Sequence, residues 1–212
     1  MLSLALGALL IGALFAALQL QNSAKNLTKD QADSPRTTLQ AGALSALFIA
    51  LSALAELLLT QTGSDIETLQ RMLANLAYYA ALPLLATAML VSARNAHWER
   101  PAWGRWLIGL FALFELLRRM EHGELYTQVV AVFVSAALLF AALLTHEKRL
   151  RGVTLIASIN MAIALLLTGP GALLPNPLDD NDYLYPLLLA GALPLIASAI
   201  KQTVLFNLQK NR

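Results

Sequence analysis

The sequence has no cysteine and few charged residues. Of its 212 residues, 13% are Asp, Glu, Lys or Arg, against about 25% in an ordinary soluble domain. The missing cysteines exclude disulfides, thiolate catalysis, iron–sulfur ligation and thiolate zinc sites. The small charged fraction leaves too little polar surface to coat a water-soluble globule of this size. A soluble enzyme, a disordered region and a nucleic-acid-binding domain are excluded as first interpretations, and no nucleic-acid partner is expected.

Histidine is also scarce, which limits metal and haem chemistry. The three histidines, His97, His122 and His146, all fall between apolar runs of the sequence, so no two of them can face a haem inside a membrane. A retinal Schiff base needs a lysine in the middle of the last membrane-spanning helix, whereas Lys201 stands at the inner end of the last apolar run. We therefore expect no cofactor and no metal site.

Apolar residues are abundant and make up 58% of the chain. A helix needs about 20 mostly apolar residues to cross a bilayer. The runs are rich in Ala and Leu and lack alternation, which favours helices. The pattern predicts an all-α polytopic membrane protein, a single domain over residues 1–212 built as a bundle of seven transmembrane helices. The predicted spans are about 2–20, 40–60, 65–92, 102–119, 126–145, 153–168 and 184–200.

The first run, residues 2–20, has an alternative interpretation as a cleaved signal peptide. A signal peptide typically has a positive segment before its apolar core and an Ala-x-Ala cleavage site after it. Neither feature is clear in this sequence. A membrane span is therefore the favoured interpretation of the run.

The third run carries signals for a helix start and for a kink. Ser64-Asp65-Ile66-Glu67 matches a capping box, in which Ser64 is the N-cap and the Glu67 side chain bonds back to its amide. Pro83 lies inside the third run and Pro194 inside the seventh, and each removes a backbone hydrogen-bond donor. We expect a kink at each proline.

The basic residues predict the orientation of the chain, because positively charged loops stay on the cytoplasmic side of a membrane. With the N-terminus outside and the C-terminus in the cytoplasm, twelve of the fifteen Lys and Arg residues fall inside. The inner set is Lys25, Lys29, Arg36, Arg94, Arg100, Arg105, Lys148, Arg149, Arg151, Lys201, Lys210 and Arg212, and the outer set is Arg71, Arg118 and Arg119. The sequence therefore predicts this threading, in a bacterial inner (cytoplasmic) membrane.

Charged residues inside a membrane span are costly and therefore mark candidate sites. Glu56 and Glu115 each lie about one turn inside the predicted outer boundary. Tyr78 and Tyr79 are adjacent on one helix, so they cannot both face the same pocket, and Tyr78 is preferred because it shares a face with Arg71 and Asn75. The candidate ligand-binding residues are Glu56, Arg71, Asn75, Tyr78, Glu115, Arg118 and His122.

Two interpretations of this polar cluster stay open. In the structural interpretation, Glu115 pairs with Arg118 or Arg119 at ion-pair spacing, and Glu56 pairs with Arg71 across neighbouring helices. In the functional interpretation, the cluster forms an outward-facing pocket for a lipid head group or a small ligand.

No set of residues identifies a catalytic mechanism, so the sequence favours a non-catalytic helical module such as a subunit, a sensor or a scaffold. Its expected partners are membrane lipids, with a second copy of the chain or other membrane subunits as alternatives. A small transporter is the main alternative function, with Pro83, Pro194 and Asn160 near the midplane. A further alternative is a lipid-modifying enzyme of the outer leaflet that uses Glu56 and Glu115.

Overall fold

The computed structural model of the chain describes residues 1–27, 33–59, 63–118, 123–145, 147–173 and 182–210, with residues 117, 118, 123 and 124 described by their backbone alone. Every regular element within these ranges is a helix. The all-α class predicted from the Ala- and Leu-rich runs is therefore confirmed for the described part of the chain. A helix suits such runs because it bonds its backbone polar groups internally and needs no water.

The described helices join into seven rods, and each rod overlaps one of the predicted runs. Their bounds are α1 (Leu2–Asn26), α2 (Asp33–Leu58), α3 (Ser64–Asn75), a first π segment (Leu76–Ala81), α4 (Leu82–Ala93), α5 (Arg100–Arg118), α6 (Gly123–Leu144), α7 (Lys148–Ile163), a second π segment (Ala164–Thr168) and α8 (Leu184–Lys210). The first π segment joins α3 to α4 in one continuous rod, and the second extends α7.

The two ends of the bundle carry opposite charges. The basic end holds the helix termini at Asn26, Asp33, Ala93, Arg100, Leu144, Lys148 and Lys210. Its parts are tied together, because the Asn207 side-chain amide donates to the Ser92 carbonyl (2.8 Å). The opposite, acidic end carries the carboxylates of Glu56, Asp65, Glu67 and Asp182 among the described residues. Each end thus has an excess of one charge, although Arg71 lies at the acidic end and Asp33, Glu99 and Glu147 lie at the basic end, and the orientation stays a prediction.

Six of the described rods are long and apolar enough to cross a membrane. The rod that does not qualify is α5, which carries Arg100, Arg105, Glu115 and Arg118 within its 19 residues. The described chain therefore has the helices of an integral membrane protein, with α5 as the polar member of the set.

Although α5 is polar, its path covers the height of the bundle. Its first residues lie at the basic end, where Arg100 and Trp103 border α2 at Thr37. Its last turns lie at the acidic end, where the Phe114 ring stacks on Tyr79. Its 19 residues rise roughly 28 Å, close to the thickness of the hydrocarbon core. The chain therefore returns through α5 from the end of α4 to the start of α6.

The first π segment stands just before Pro83, one of the two prolines where a kink is predicted. Proline has no N–H to donate to the carbonyl four residues earlier, and its ring crowds that carbonyl. The backbone widens just before the proline, and the Leu82 amide donates to the Ala77 carbonyl five residues back. In the seventh rod, α8 continues as a helix past Pro194.

The capping box predicted at Ser64 is wrong. The N-cap is Gly63, whose carbonyl accepts a hydrogen bond from the Glu67 amide (3.0 Å), and no side chain caps the helix. The Glu67 carboxylate instead pairs with Arg71, four residues later on an exposed helix face (3.2 Å). Because residues four apart are neighbours on a helix, this pair competes with the capping interaction for the same carboxylate.

Small residues bring α1, α2, the first π segment and α8 close together. A Cβ atom placed on Gly12 of α1 would lie 2.7 Å from the Ala190 carbonyl oxygen of α8, so only glycine fits at this crossing. Ser45 of α2 is fully buried, and its hydroxyl donates to the Ala81 carbonyl (2.6 Å). Small residues and hydrogen bonds of this kind drive helix packing in lipid. Together with the rest of the third rod, these elements form the walls of a cavity at the acidic end.

Candidate functional site

The structure divides the predicted site residues between two separate cavities at the acidic end. Glu56 and Tyr78 border one cavity, and Asn75 and Glu115 border the other. The first is called the four-helix cavity, because α1, α2, the third rod and α8 enclose it. The second, the α3–α5 groove, lies between α3, the first π segment and α5.

The four-helix cavity has a volume of about 300 Å³ and combines a polar mouth with apolar walls. From Leu2 and Glu56 at the mouth it descends to Leu9 and Ile49 in the wall. Leu2 and Leu9 are seven positions apart on α1, and Ile49 and Glu56 are seven positions apart on α2. The cavity is therefore roughly 10 Å deep. The volume is at the lower limit of the range typical for small-molecule sites.

The charge of this cavity is entirely negative. Its described lining contains the carboxylates of Glu56 and Asp182, with the hydroxyl groups of Ser52, Tyr78 and Tyr185, and no Lys, Arg or His. Asp182 stands just before α8, and Glu56 stands near the end of α2, so two helices that are distant in sequence supply the two charges. The mouth therefore attracts cations and repels anions.

Tyr78 forms a wall of the cavity, while its hydroxyl is held on the other side by α6. The hydroxyl donates to the Thr127 carbonyl (3.0 Å), and the Gly171 backbone amide hydrogen-bonds the same oxygen. Tyr78 is 6% exposed, and a buried hydroxyl needs such partners. The residue thus joins the third rod to α6 and to the turn that follows the second π segment.

Tyr79 belongs to a stack of three rings that holds α5 in place. Its ring lies 4.8 Å from Phe114 of α5 and 5.1 Å from Tyr126 of α6, measured between ring centroids. Its hydroxyl shares a hydrogen bond with the Thr127 hydroxyl (2.6 Å). Both tyrosines therefore bond Thr127, and they face different cavities, as their adjacency on one helix requires.

The α3–α5 groove is larger, about 480 Å³, and mostly apolar. Glu115, Asn75 and Thr68 are its polar residues besides Tyr79, and Met72 and Phe111 are among its apolar ones. Asn75 lines this groove with Tyr79, whereas Tyr78 lines the four-helix cavity with Ala74 and Ala77. Residues 75 and 78 are three apart and differ by about 60° around a helix, and the boundary between the two cavities falls between them.

Among the described residues, Arg71 is the predicted site residue that lines neither cavity. Arg71 is largely exposed and is paired with Glu67, so the expected pair between Glu56 and Arg71 is absent from the described residues. The Arg118 side chain and the whole of His122 lie outside the described residues, as does Arg119. The two predicted carboxylates, Glu56 and Glu115, therefore line different cavities.

Sequence reasoning missed Asp182, Tyr185, Thr127 and Gly171. Gly171 and Asp182 lie between the sixth and seventh predicted spans, and Thr127 and Tyr185 are second in the fifth and seventh spans. Asp182 and Tyr185 stand three residues apart at the start of the last apolar run, and this spacing was the available signal for the cavity mouth. The packing of α1 and α2 against α8, which brings Asp182 and Tyr185 to the same cavity as Glu56, has no local signal in the sequence.

The midplane residues considered for transport are packed and bonded. The Asn160 amide donates to the Leu188 carbonyl (3.1 Å), and the buried Ser158 hydroxyl donates to the Leu138 carbonyl (3.1 Å). Met161 and Leu193 nearby are fully buried. Asn160 thus acts as an interhelical hydrogen bond, which is the common role of such residues in membrane bundles.

Comparison with known proteins gives no match: no family model, no curated protein and no solved structure is similar to this chain. The functional argument therefore rests on the residues of the chain and their geometry.

Proposed function

We propose that the chain is an integral protein of a bacterial inner membrane and that all seven rods cross this membrane. In this proposal the N-terminus lies outside and the basic end lies in the cytoplasm. The twelve-to-three distribution of Lys and Arg supports this threading. The path of α5 between the two ends supports the seventh crossing. Apolar side chains exposed on the outside of the bundle, such as Ile11, Leu18 and Ile156, suit contact with lipid.

Within that membrane, the proposed function is non-catalytic binding: a helical sensor or subunit takes up a small amphiphile with an ammonium group from the periplasmic side. The observation that carries this proposal is the four-helix cavity, whose mouth holds Glu56 and Asp182 and whose described lining has no cation. A positively charged head group balances the two carboxylates, and an apolar tail fills the space between Leu9, Ile49 and Leu189.

The tyrosines favour an ammonium group over other cations. The Tyr185 side chain borders the mouth beside Glu56, and the Tyr78 ring forms part of the wall. Aromatic faces attract quaternary and primary ammonium groups through the ring quadrupole. An ammonium amphiphile therefore meets carboxylates, aromatic rings and an apolar wall in one cavity.

Binding is favoured over chemistry for two reasons. The described lining contains carboxylates and hydroxyls but no His or Lys to activate a nucleophile. Glu56 and Glu115 line different cavities, so they do not form the carboxylate pair that the lipid-modifying alternative needs. The transporter alternative lacks support at the midplane, where Asn160 and Ser158 are engaged in hydrogen bonds.

The proposal is tested by titrating the protein, in an uncharged maltoside detergent, with hexyltrimethylammonium and following binding by calorimetry against empty micelles. We expect saturable binding that weakens about tenfold in Glu56→Gln, because a charge-assisted interaction contributes about 1.5–3 kcal/mol. Glu67→Gln is the matched control, since Glu67 is a carboxylate at the same end that does not line the cavity. Its affinity should equal that of the parent protein.

Two results of the same titration contradict the proposal. One is equal binding of hexyl sulfate, which carries the same tail with a negative head group. The other is an equal loss of affinity in Glu56→Gln and Glu67→Gln, which indicates a general attraction of cations to the acidic end.

A further inference from the structure

At the basic end, three buried nitrogen donors have no hydrogen-bond partner. Arg36 Nε, Trp103 Nε1 and Trp106 Nε1 are three of the five buried side-chain atoms left unpaired in the described chain. Buried donors are nearly always paired, so each of these three calls for an explanation, and an acceptor from outside the chain is one. All three belong to the first turns of α2 and α5, which meet at this end.

A groove between α2 and α5 is lined by Trp103, one of these three residues. It has a volume of about 200 Å³, and its polar part is formed by Thr37, Gln40, Arg100 and Trp103. Trp103 is 7% exposed, so its indole is almost entirely enclosed there. Arg36 stands one helical turn before Gln40, on the same face of α2 and closer to the basic end.

The groove changes from polar to apolar as it runs toward the middle of the bundle. Leu44, Leu84 and Leu107 line its deeper part. Gly104 widens it, because a Cβ atom placed there would meet nothing within 4 Å. A ligand that fills the groove therefore has a polar head and an apolar tail, with the head at the basic end.

The charge of the polar part selects an anionic head. Arg36 and Arg100 form no ion pair within the described ranges of the chain. The nearest carboxylates in sequence, Asp33 and Glu99, are exposed. The Arg100 guanidinium and the Trp103 indole N–H in the lining are donors only, as is the Arg36 guanidinium one helical turn before Gln40, so they match the oxygens of a phosphodiester.

Hydrogen bonds hold the groove in shape before any ligand enters. The Thr37 hydroxyl donates to the Trp98 carbonyl (3.0 Å), and the Trp98 amide donates to the Ser34 hydroxyl (2.9 Å). The Trp98 ring in turn packs on Trp103, with 5.0 Å between ring centroids. The segment before α5 is thus fixed to the start of α2, and Trp103 is fixed with it.

We propose that the α2–α5 groove binds one anionic phospholipid, with its phosphodiester at Arg36, Arg100 and Trp103 and an acyl chain along Leu44 and Leu107. Basic pockets between helices on the cytoplasmic side are typical sites for anionic head groups. The assignment to the cytoplasmic leaflet rests on the proposed orientation, but the site itself does not. It lies at the opposite end of the bundle from the four-helix cavity.

The test uses delipidated protein in maltoside detergent and native mass spectrometry to count bound lipids during titration with phosphatidylglycerol. We expect one molecule to bind at least tenfold more tightly than phosphatidylcholine. The double variant R36Q/R100Q should lose that preference. Trp103→Phe, which keeps an aromatic ring and removes the N–H with the pyrrole part of the indole, should weaken the binding of phosphatidylglycerol severalfold, and it remains informative if the double variant does not fold.

Arg151→Gln is the matched control, because Arg151 is an exposed arginine at the same end on α7, and this variant should bind phosphatidylglycerol like the parent. Three outcomes overturn the proposal: equal binding of phosphatidylcholine, an equal loss of phosphatidylglycerol binding in Arg151→Gln, or no loss in Trp103→Phe. A last experiment adds glycerol phosphate as a competitor. If it displaces phosphatidylglycerol at the same concentration as the lipid, the groove is a site for free phosphate and the assignment to a lipid is overturned.

Discussion

Replacing Gly171 with valine is expected to destabilise the acidic end of the bundle by about 3 kcal/mol, the upper range for overpacking a closely packed site. A Cβ atom on Gly171 would lie 2.6 Å from the Thr127 carbonyl oxygen and 2.9 Å from the Ala131 Cβ, and it would collide with the Tyr78 hydroxyl. The turn must therefore move away from α6. Tyr78 then loses a hydrogen bond in a buried place, which adds to the cost.

This effect is measured by equilibrium unfolding in mixed detergent and dodecyl sulfate micelles, followed by the fluorescence of the three tryptophans. Gly109→Val is the matched control, because a Cβ atom on Gly109 meets nothing within 4 Å. The control should stay within about 0.5 kcal/mol of the parent, as is usual for substitutions that create no clash. Equal stability of the two variants would show that Gly171 does not pack against Tyr78 as described.

The second large effect is expected for Tyr79→Ala, which should loosen α5 and lower the stability by about 2–3 kcal/mol, near the lower range for removing an aromatic ring from a packed site. The variant removes the centre of the stack between Phe114 and Tyr126, together with the hydrogen bond to Thr127. The protein should then become sensitive to proteolysis near α5, because this helix packs mainly through its contacts with the third rod, α2 and α6.

Tyr79→Phe separates the two contributions. It keeps the three stacked rings and removes only the hydroxyl, so we expect a loss of about 0.6–1 kcal/mol, the usual value of one interhelical hydrogen bond in a membrane protein. Unfolding curves and limited proteolysis of both variants test the prediction. If Tyr79→Ala and Tyr79→Phe destabilise the protein equally, the stack does not hold α5.

The sequence was sufficient for the helical class and for the approximate positions of the apolar helices, because each apolar run has to be buried in lipid or protein and a helix is the form that satisfies its backbone. It was less informative about helix ends. The first helix runs six residues beyond the predicted boundary, to Asn26, because polar residues at the edge of a membrane remain helical. Hydropathy alone does not mark that boundary.

The candidate site was predictable only in part. A carboxylate inside an apolar run is visible in the sequence, and Glu56 does border a cavity. Asp182 and Tyr185 come to the same cavity through the packing of α1 and α2 against α8, a contact between segments more than 120 residues apart in the printed sequence. Tyr78 and Asn75 line different cavities because of where the neighbouring helices meet the third rod. The helical period of the sequence does not specify those meeting points.

The absence of cysteine makes one measurement especially direct: single cysteines introduced into the parent chain and labelled in intact cells with a membrane-impermeant maleimide. The central claim is that all seven rods, including polar α5, cross the membrane with the basic end inside. Cysteines at Asp65, Glu121 and Asp182 should then be labelled in intact cells. Cysteines at Asn95, Lys148 and Lys210 should be labelled only after the membrane is permeabilised. Labelling of Asn95 and Glu121 from the same side would contradict the claim, because α5 would not cross.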